Sequence, residues 1–204
     1  MNTILSYSSL LVLPLVTPTP VPDSPFLPGP CPQVSPMPSL DLHQYQGHWR
    51  QVALFPNVTA PLVGHGYHPD LLCVSSTYTM AEEEVLVTNT GYDTETQEEV
   101  TLSGTLNYNQ DSLFLHLDPA MDLPDEEYQV LDTDYVSFAS VWTCKEFPML
   151  GILVRREFAW ILAREGLVGE GGRVPDTDLK TAIDVYQKFG IDVTQFQISD
   201  LSNC

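Results

Sequence analysis

Short stretches in which apolar and polar residues alternate run through most of the chain. Alternation with a period of two is typical of strands that bury one face. Turn signals such as Asp93-Thr94-Glu95-Thr96 and Asn109-Gln110-Asp111 separate the stretches. The pattern predicts eight strands, over His48–Phe55, Cys73–Met80, Glu84–Thr90, Val100–Leu106, Ser112–Leu117, Tyr128–Leu131, Val136–Cys144 and Glu157–Arg164. Eight strands at this spacing indicate an up-and-down antiparallel barrel or a sandwich, and such a barrel can hold one small ligand.

One amphipathic helix follows the strands. We expect it to begin near Pro175, with acidic residues in its first turn, and to end at Gly190. Its apolar stripe consists of Leu179, Ile183, Tyr186 and Phe189. The stripe should pack on the outside of the sheet structure, and a short last strand is predicted over Thr194–Ile198.

The N-terminal part of the chain has a different composition. An apolar stretch, Ile4 to Val16, is too short to cross a bilayer and is typical of a signal peptide, which we predict over residues 1–22. Residues 23–38 are rich in proline and predict an extended leader. One globular domain, residues 39–204, should follow.

Charge and cysteine content restrict the possible partners and the compartment. Eight Lys and Arg residues against 27 Asp and Glu residues give a net charge of −19, which disfavours nucleic acid as a partner. Four widely spaced cysteines, without a CxxC pair, favour two disulfides in an oxidising compartment over a metal site. We therefore predict a secreted protein that uses no metal and no cofactor.

Three short motifs carry a family resemblance. Gly47-His48-Trp49 opens the first predicted strand, Thr133-Asp134-Tyr135 lies between the sixth and seventh, and Arg164 closes the eighth. In this order they resemble the signature regions of the lipocalin family. Phe158-Ala159-Trp160-Ile161-Leu162-Ala163-Arg164 is similar to the last strand of the apolipoprotein D branch, which includes insect and crustacean proteins.

The resemblance implies an all-β fold, namely an eight-stranded up-and-down antiparallel lipocalin barrel with a C-terminal helix and a short last strand. It also implies the disulfides Cys31–Cys144 and Cys73–Cys204. Alternate residues of a strand share a face, so Arg164 points inward if Trp160 does. Arg164 can then lie over the ring of Trp49 and close the barrel floor. The structural residues of this floor would be Gly47, Trp49, Thr133, Asp134, Tyr135 and Arg164.

Five residues are candidates for ligand contact. The resemblance places Trp160, Tyr78, Tyr45 and Asn89 on the wall of the cavity, where each could instead simply fill the core. Arg156 shares the inward face of the last strand near the open end. It could meet a ligand carboxylate, or extend into water.

Two further features fall in predicted loops. The segment Phe147–Val154 is apolar where a surface loop should be polar, so it predicts either a lid over the cavity or a contact with lipid, lipoprotein or a second copy of the chain. Asn57 begins a glycosylation sequon, Asn57-Val58-Thr59.

The resemblance implies extracellular carriage of a small hydrophobic ligand, such as a fatty acid, steroid, retinoid, carotenoid or bilin. The alternative is an interaction protein that engages a receptor, lipoprotein or membrane through the Phe147–Val154 segment. An isomerase of the kind found among lipocalins would need a reactive thiol. All four cysteines are expected in disulfides, so we predict that the chain is not an enzyme.

Overall fold

The computed structural model describes residues 26–55, 71–82, 84–109, 112–117, 126–169, 173–202 and 204. Within them an antiparallel barrel carries one long helix against its outside, which confirms the predicted fold class. The elements are β1 (Leu27–Pro28), α1 (Leu42–Tyr45), β2 (Gly47–Phe55), β3 (Leu71–Ala81), β4 (Glu84–Asp93), β5 (Glu98–Asn109), β6 (Ser112–Leu117), β7 (Glu126–Glu127), β8 (Gln129–Thr133), β9 (Phe138–Met149), β10 (Ile152–Arg164), α2 (Asp176–Lys188) and β11 (Gln197–Ile198).

The barrel wall follows the chain from strand to strand, with one exception. The order of hydrogen-bonded neighbours is β7-β6-β5-β4-β3-β2-β10-β9-β8, so the exception is the seam between β2 and β10. β7 and β8 flank Tyr128 and form the two halves of one strand. Its first half pairs with β6 and its second half with β9, and this closes the barrel at eight strands.

Alternation along the strands produces two apolar cores. Inward-facing residues of β10, such as Trp160 and Leu162, belong to the core inside the barrel. The residue between them, Ile161, points outward into a second core beneath α2. The helix buries Tyr186 completely, and its hydroxyl lies 3.0 Å from the carbonyl oxygen of Val141 and 2.9 Å from that of Trp160. The helix is therefore fixed to both β9 and β10.

Both ends of the described chain are attached to the barrel. β1 pairs with β10 at Arg155 and Val154, and β11 pairs with β2 at Leu54 and Ala53. The predicted disulfides Cys31–Cys144 and Cys73–Cys204 are both present, and no cysteine is free. Residues 26–38 of the predicted leader thus lie along the barrel.

Three expectations about element bounds were wrong. The segment Phe147–Val154 is not a loop, because β9 runs to Met149 and β10 begins at Ile152. Only Leu150 and Gly151 form the turn, and both have positive φ, 49° and 81°. Val136 precedes β9 and is 70% exposed. The last strand is Gln197–Ile198, because residues 193–195 form a turn of 3₁₀ helix.

The described residues include no helix with the length and apolar character needed to span a membrane.

Candidate functional site

The closed end of the barrel is centred on Arg164. Its guanidinium carbon lies 3.9 Å from the centre of the Trp49 ring, so the predicted cation–π contact is present. The same guanidinium donates to three carbonyl oxygens, those of Tyr135 (2.9 Å), Gln46 (2.7 Å) and Gln44 (2.6 Å). These bonds join β10 to α1 and to the turn before β9.

Gly47 is required at this end both by its backbone and by its lack of a side chain. Its φ is +109°, a value that other residues rarely adopt. A Cβ at this position would lie 2.8 Å from a terminal nitrogen of Arg164. Gly47 therefore leaves room for the guanidinium to reach the Trp49 ring.

The Thr133-Asp134-Tyr135 motif builds the turn that supports Arg164. The Asp134 carboxylate accepts hydrogen bonds from the backbone N–H groups of Val136, Ser137 and Phe138, at 2.7–3.1 Å. Partial burial raises the pKa of Asp134, but the hydrogen bonds from Ser137 and its neighbours outweigh it and leave the pKa lowered. The turn places the Tyr135 carbonyl oxygen toward Arg164.

Three tyrosines meet in the barrel interior. The hydroxyl of Tyr128 lies 3.0 Å from that of Tyr45 and 2.7 Å from that of Tyr78. All three are buried, and burial raises the pKa of each phenol above its ordinary value. We call Tyr45, Tyr78 and Tyr128 the tyrosine cluster. Tyr128 was predicted only as the first residue of a strand, although its inward position follows from its alternation with the inward-facing Val130.

Trp160 and Asn89 complete the interior site. Trp160 packs edge-on against Tyr128, with ring centres 6.2 Å apart. A small cavity of about 10 Å³ is lined by Ser76, Tyr78, Val87, Asn89, Leu115, Tyr128 and Trp160. It has room for about one water molecule. The Asn89 Oδ1 atom is buried and has no hydrogen-bond partner among the described residues.

The structure therefore brings Tyr45, Tyr78, Asn89 and Trp160 together. Tyr45 contacts Tyr78, with ring centres 5.0 Å apart, and it also packs on Trp49 at 5.2 Å. It thus joins the interior site to the closed end.

Arg156 lies apart from this group, four residues from Trp160 toward the open end of β10. Its guanidinium carbon is 5.5 Å from the ring centre of Phe158 and 5.8 Å from that of Phe147. The side chain is half-buried and follows apolar surface, as an arginine with a snorkelling role does. Arg155, the next residue, faces the other way and pairs with Glu157 at 2.8 Å.

The tip of the β9–β10 hairpin carries exposed apolar side chains. Leu150 is fully exposed, and Ile152 is 62% exposed. Met149 and Leu153 are also exposed.

Two further points concern glycosylation and metal binding. Asn57, the predicted glycosylation site, lies outside the described residues. Within the described part of the chain, no group of three or more His, Cys, Asp or Glu side chains is placed to hold a metal ion.

Known proteins are similar to this chain in sequence and in fold. No protein-family profile matches the chain. Apolipoprotein D of Mus musculus is 24% identical over 190 residues, which cover 86% of this chain and 85% of that protein. The Lazarillo protein of Schistocerca americana is 27% identical over 126 residues, 59% of this chain. The match spans only about half of the Lazarillo protein, 53% of its length.

Insecticyanin from the tobacco hornworm Manduca sexta has a similar structure, with a TM-score of 0.66. The two chains are 21% identical, and the similarity covers 87% of this chain and 89% of insecticyanin. The barrel has the Trp49–Arg164 contact that the lipocalin resemblance implied. The similar sequences and the similar structures indicate the same fold. The chain has the lipocalin fold, and its sequence is similar to that of lipocalins.

Proposed function

We propose that this chain is a lipocalin and an extracellular carrier that holds one small hydrophobic ligand inside the barrel. The observation that carries the proposal is the Oδ1 of Asn89, which lies beside Trp160 and Tyr78 and has no hydrogen-bond partner in the described part of the chain. A buried amide oxygen without a hydrogen bond is costly, and a ligand hydroxyl would satisfy it. An apolar wall with a few polar groups is typical of sites for small molecules.

The small volume of the interior cavity sets a condition on binding. A ligand that buries roughly 300 Å² gains about 7.5 kcal/mol at about 25 cal/mol per Å², before ordering costs. Such a ligand needs far more space than the cavity of about 10 Å³ beside Trp160. We therefore expect side chains that line the barrel interior to turn aside when the ligand enters. The affinity should be micromolar or somewhat tighter.

The charges near the open end favour a neutral or singly acidic ligand. A bilin carries two propionates and would need several cations. Of the basic residues Lys145, Arg155 and Arg156, Arg155 is already paired with Glu157 and also donates to the carbonyl oxygen of Pro28 at 2.7 Å. A fatty acid, steroid, retinoid or carotenoid fits this end better than a bilin.

Both disulfides support an extracellular location, since such bonds persist in oxidising compartments. They also remove the thiols that a thiol-dependent isomerase would use, because all four cysteines are bonded. The chain is a binding protein rather than an enzyme.

Tryptophan fluorescence tests whether the ligand lies in the barrel. We expect a retinoid or steroid to quench the wild-type emission and to lose most of this effect in Trp160→Phe. Trp142→Phe is the matched control, because Trp142 faces outward and its Nε1 donates to buried Glu157 at 3.0 Å. Equal quenching in wild type and Trp160→Phe would exclude Trp160 from the site. Native mass spectrometry of the protein from its source would identify the carried molecule.

A second proposal rests on the exposed apolar tip of the β9–β10 hairpin. Leu150 and Ile152 project into solvent there, and a net charge of −19 makes electrostatic attraction to anionic lipid unfavourable. The tip would therefore contact a neutral lipid surface or a lipoprotein by burying apolar area. A second copy of the chain is the competing partner.

Vesicle flotation tests this contact. Leu150→Asp with Ile152→Asp should abolish flotation with neutral vesicles and leave the circular dichroism spectrum unchanged. The control, Leu86→Asp with Tyr92→Asp, adds the same charge on β4, where both side chains are 42% exposed. Flotation that is equal in the tip variant and the wild type, or absent in the wild type, would contradict lipid contact. Sedimentation would then test the dimer.

A further inference from the structure

The barrel wall has a gap between β6 and β8. The backbone N–H of Tyr128 donates to the carbonyl oxygen of Leu113 at 2.7 Å, close to the start of β6 at Ser112. Beyond this point no barrel strand among the described residues lies beside β8 on that side. The leader takes over as its neighbour, and the N–H of Met37 donates to the carbonyl oxygen of Val130 at 2.8 Å.

A pocket of about 400 Å³ occupies this gap. Its walls include inward-facing residues, Leu113, Tyr128 and Val130, and also outward-facing ones, Ser112, Glu127 and Gln129. Because residues of both faces line it, the pocket passes into the wall of the barrel and does not merely lie on it. Residues 36–40, the end of the leader and the two residues after it, cover one side. We call this space the lateral pocket.

The lateral pocket is chemically asymmetric. Met37, Leu40, Leu113 and Val130 supply an apolar lining. The Gln129 Oε1 atom is buried and has no hydrogen-bond partner among the residues that the structure describes. Near it in sequence, the carboxylate of Glu127 accepts one hydrogen bond, from the Ser112 hydroxyl at 2.9 Å. The polar side of the pocket thus offers acceptors, which suit a donor and repel a carboxylate.

Tyr128 separates the lateral pocket from the barrel interior. It lines both the lateral pocket and the small interior cavity beside Trp160. Its hydroxyl is held from the inner side by Tyr45 and Tyr78. The lateral pocket therefore ends at the tyrosine cluster, and its volume of about 400 Å³ is much larger than the interior cavity of about 10 Å³.

We infer that the lateral pocket is a second binding site, which takes a small apolar molecule carrying a hydroxyl or amino group. The apolar body lies between the leader and Leu113, and the donor group bonds to Gln129 Oε1. The volume of about 400 Å³ is within the range of sites for small molecules. This site goes beyond the proposed carriage in the barrel interior and does not depend on it.

Calorimetry with 1-decanol and decanoate tests the chemistry of the site. We expect 1-decanol to bind at least tenfold more tightly than decanoate. Gln129→Leu, which keeps the shape and removes the acceptor, should weaken 1-decanol binding about tenfold. Ser112→Phe should block the pocket from its rim, while Ser103→Phe, on the exposed face of neighbouring β5, should not. Ser112→Phe keeps the test decisive if Gln129→Leu fails to fold.

Photocrosslinking with a diazirine-bearing decanol tests the location. Label should appear in peptides containing residues 36–40 and 127–130 and should disappear in Ser112→Phe. Label confined to β4 and β10 would place the alcohol in the barrel interior and overturn the inference. The inference also fails if 1-decanol does not bind, or binds equally to wild type, Gln129→Leu and Ser112→Phe. Quenching of Trp160 by a retinoid, unchanged in Ser112→Phe, would show the two sites to be separate.

Discussion

At the scale of single residues, Arg164 holds the closed end together by hydrogen bonds as well as by its contact with the Trp49 ring. Its three hydrogen bonds reach carbonyl oxygens of Gln44, Gln46 and Tyr135. Charged donors to carbonyl groups contribute more than neutral ones, and here they fix three separate segments. Because Gly47 has no Cβ, the Arg164 side chain can approach its backbone closely.

A double-mutant cycle on Gly47 and Arg164 measures this dependence. Gly47→Ala should lower the free energy of unfolding by about 2–4 kcal/mol, because backbone strain and a clash with Arg164 add. In the Arg164→Met background the clash is relieved, so the same change should cost about 1 kcal/mol less. Urea unfolding gives both values. An equal cost in both backgrounds would mean that only the backbone strain matters.

Single residues also differ in how far the sequence can predict them. Trp49 and Arg164 could be paired because strand alternation and the lipocalin motifs agree on their positions. The inward direction of Tyr128 follows from alternation with Val130, but its hydrogen bonds to Tyr45 and Tyr78 join strands far apart in sequence, and no local pattern predicts them. The gap that forms the lateral pocket depends on where β6 begins relative to β8, and no local pattern encodes that relation.

At the scale of elements, the β9–β10 hairpin shows where the strand pattern fails. Both faces of its tip are apolar, so the alternation that marks a strand disappears between Phe147 and Val154. The turn signal is also weak, since Leu150 occupies a position with φ of 49° where asparagine or glycine is usual. By contrast, the end of helix α2 was predicted within two residues of its observed end at Lys188, because Gly190, with φ of 73°, follows the C-cap.

Leu150→Asn should stabilise this hairpin. Asparagine tolerates positive φ better than leucine, and Asn-Gly is the preferred pair for a two-residue turn. Leu150 is fully exposed, so the change removes no buried contact. We expect the free energy of unfolding to rise by about 0.5–1 kcal/mol in urea titrations. A decrease would show that Leu150 makes a stabilising contact in solution, for example with a second copy.

At the scale of the whole molecule, the two ends of the described part of the chain complete the barrel wall. β3 pairs with β2 only from Gly47 to Arg50, and β11 pairs with β2 further along, at Ala53 and Leu54. The leader does the same beside β8 at Val130. At these two places, a short strand or a single backbone hydrogen bond takes the position that the neighbouring barrel strand leaves open.

Alkaline pH should unfold the molecule cooperatively. Burial raises the pKa of Tyr45, Tyr78 and Tyr128 above the ordinary value of 10.0, so folding favours the neutral phenols. The resulting stability is fully present below pH 10 and is lost as the pH rises above it. The tyrosinate absorbance of these three residues, measured as the difference between the wild type and the variant with phenylalanine at all three positions, should change together with the wild-type circular dichroism above that pH. Tyrosinate absorbance from these residues in a folded barrel would contradict the prediction.

The two disulfides overlap along the chain, because Cys73 lies inside the loop closed by Cys31–Cys144 and Cys204 lies outside it. Every peptide bond from Cys31 to Cys204 therefore belongs to at least one covalent ring. A protease that cuts the backbone once anywhere in this range produces two fragments that stay joined, and they separate only after reduction. The molecule can lose the continuity of its backbone and still remain a single covalent body.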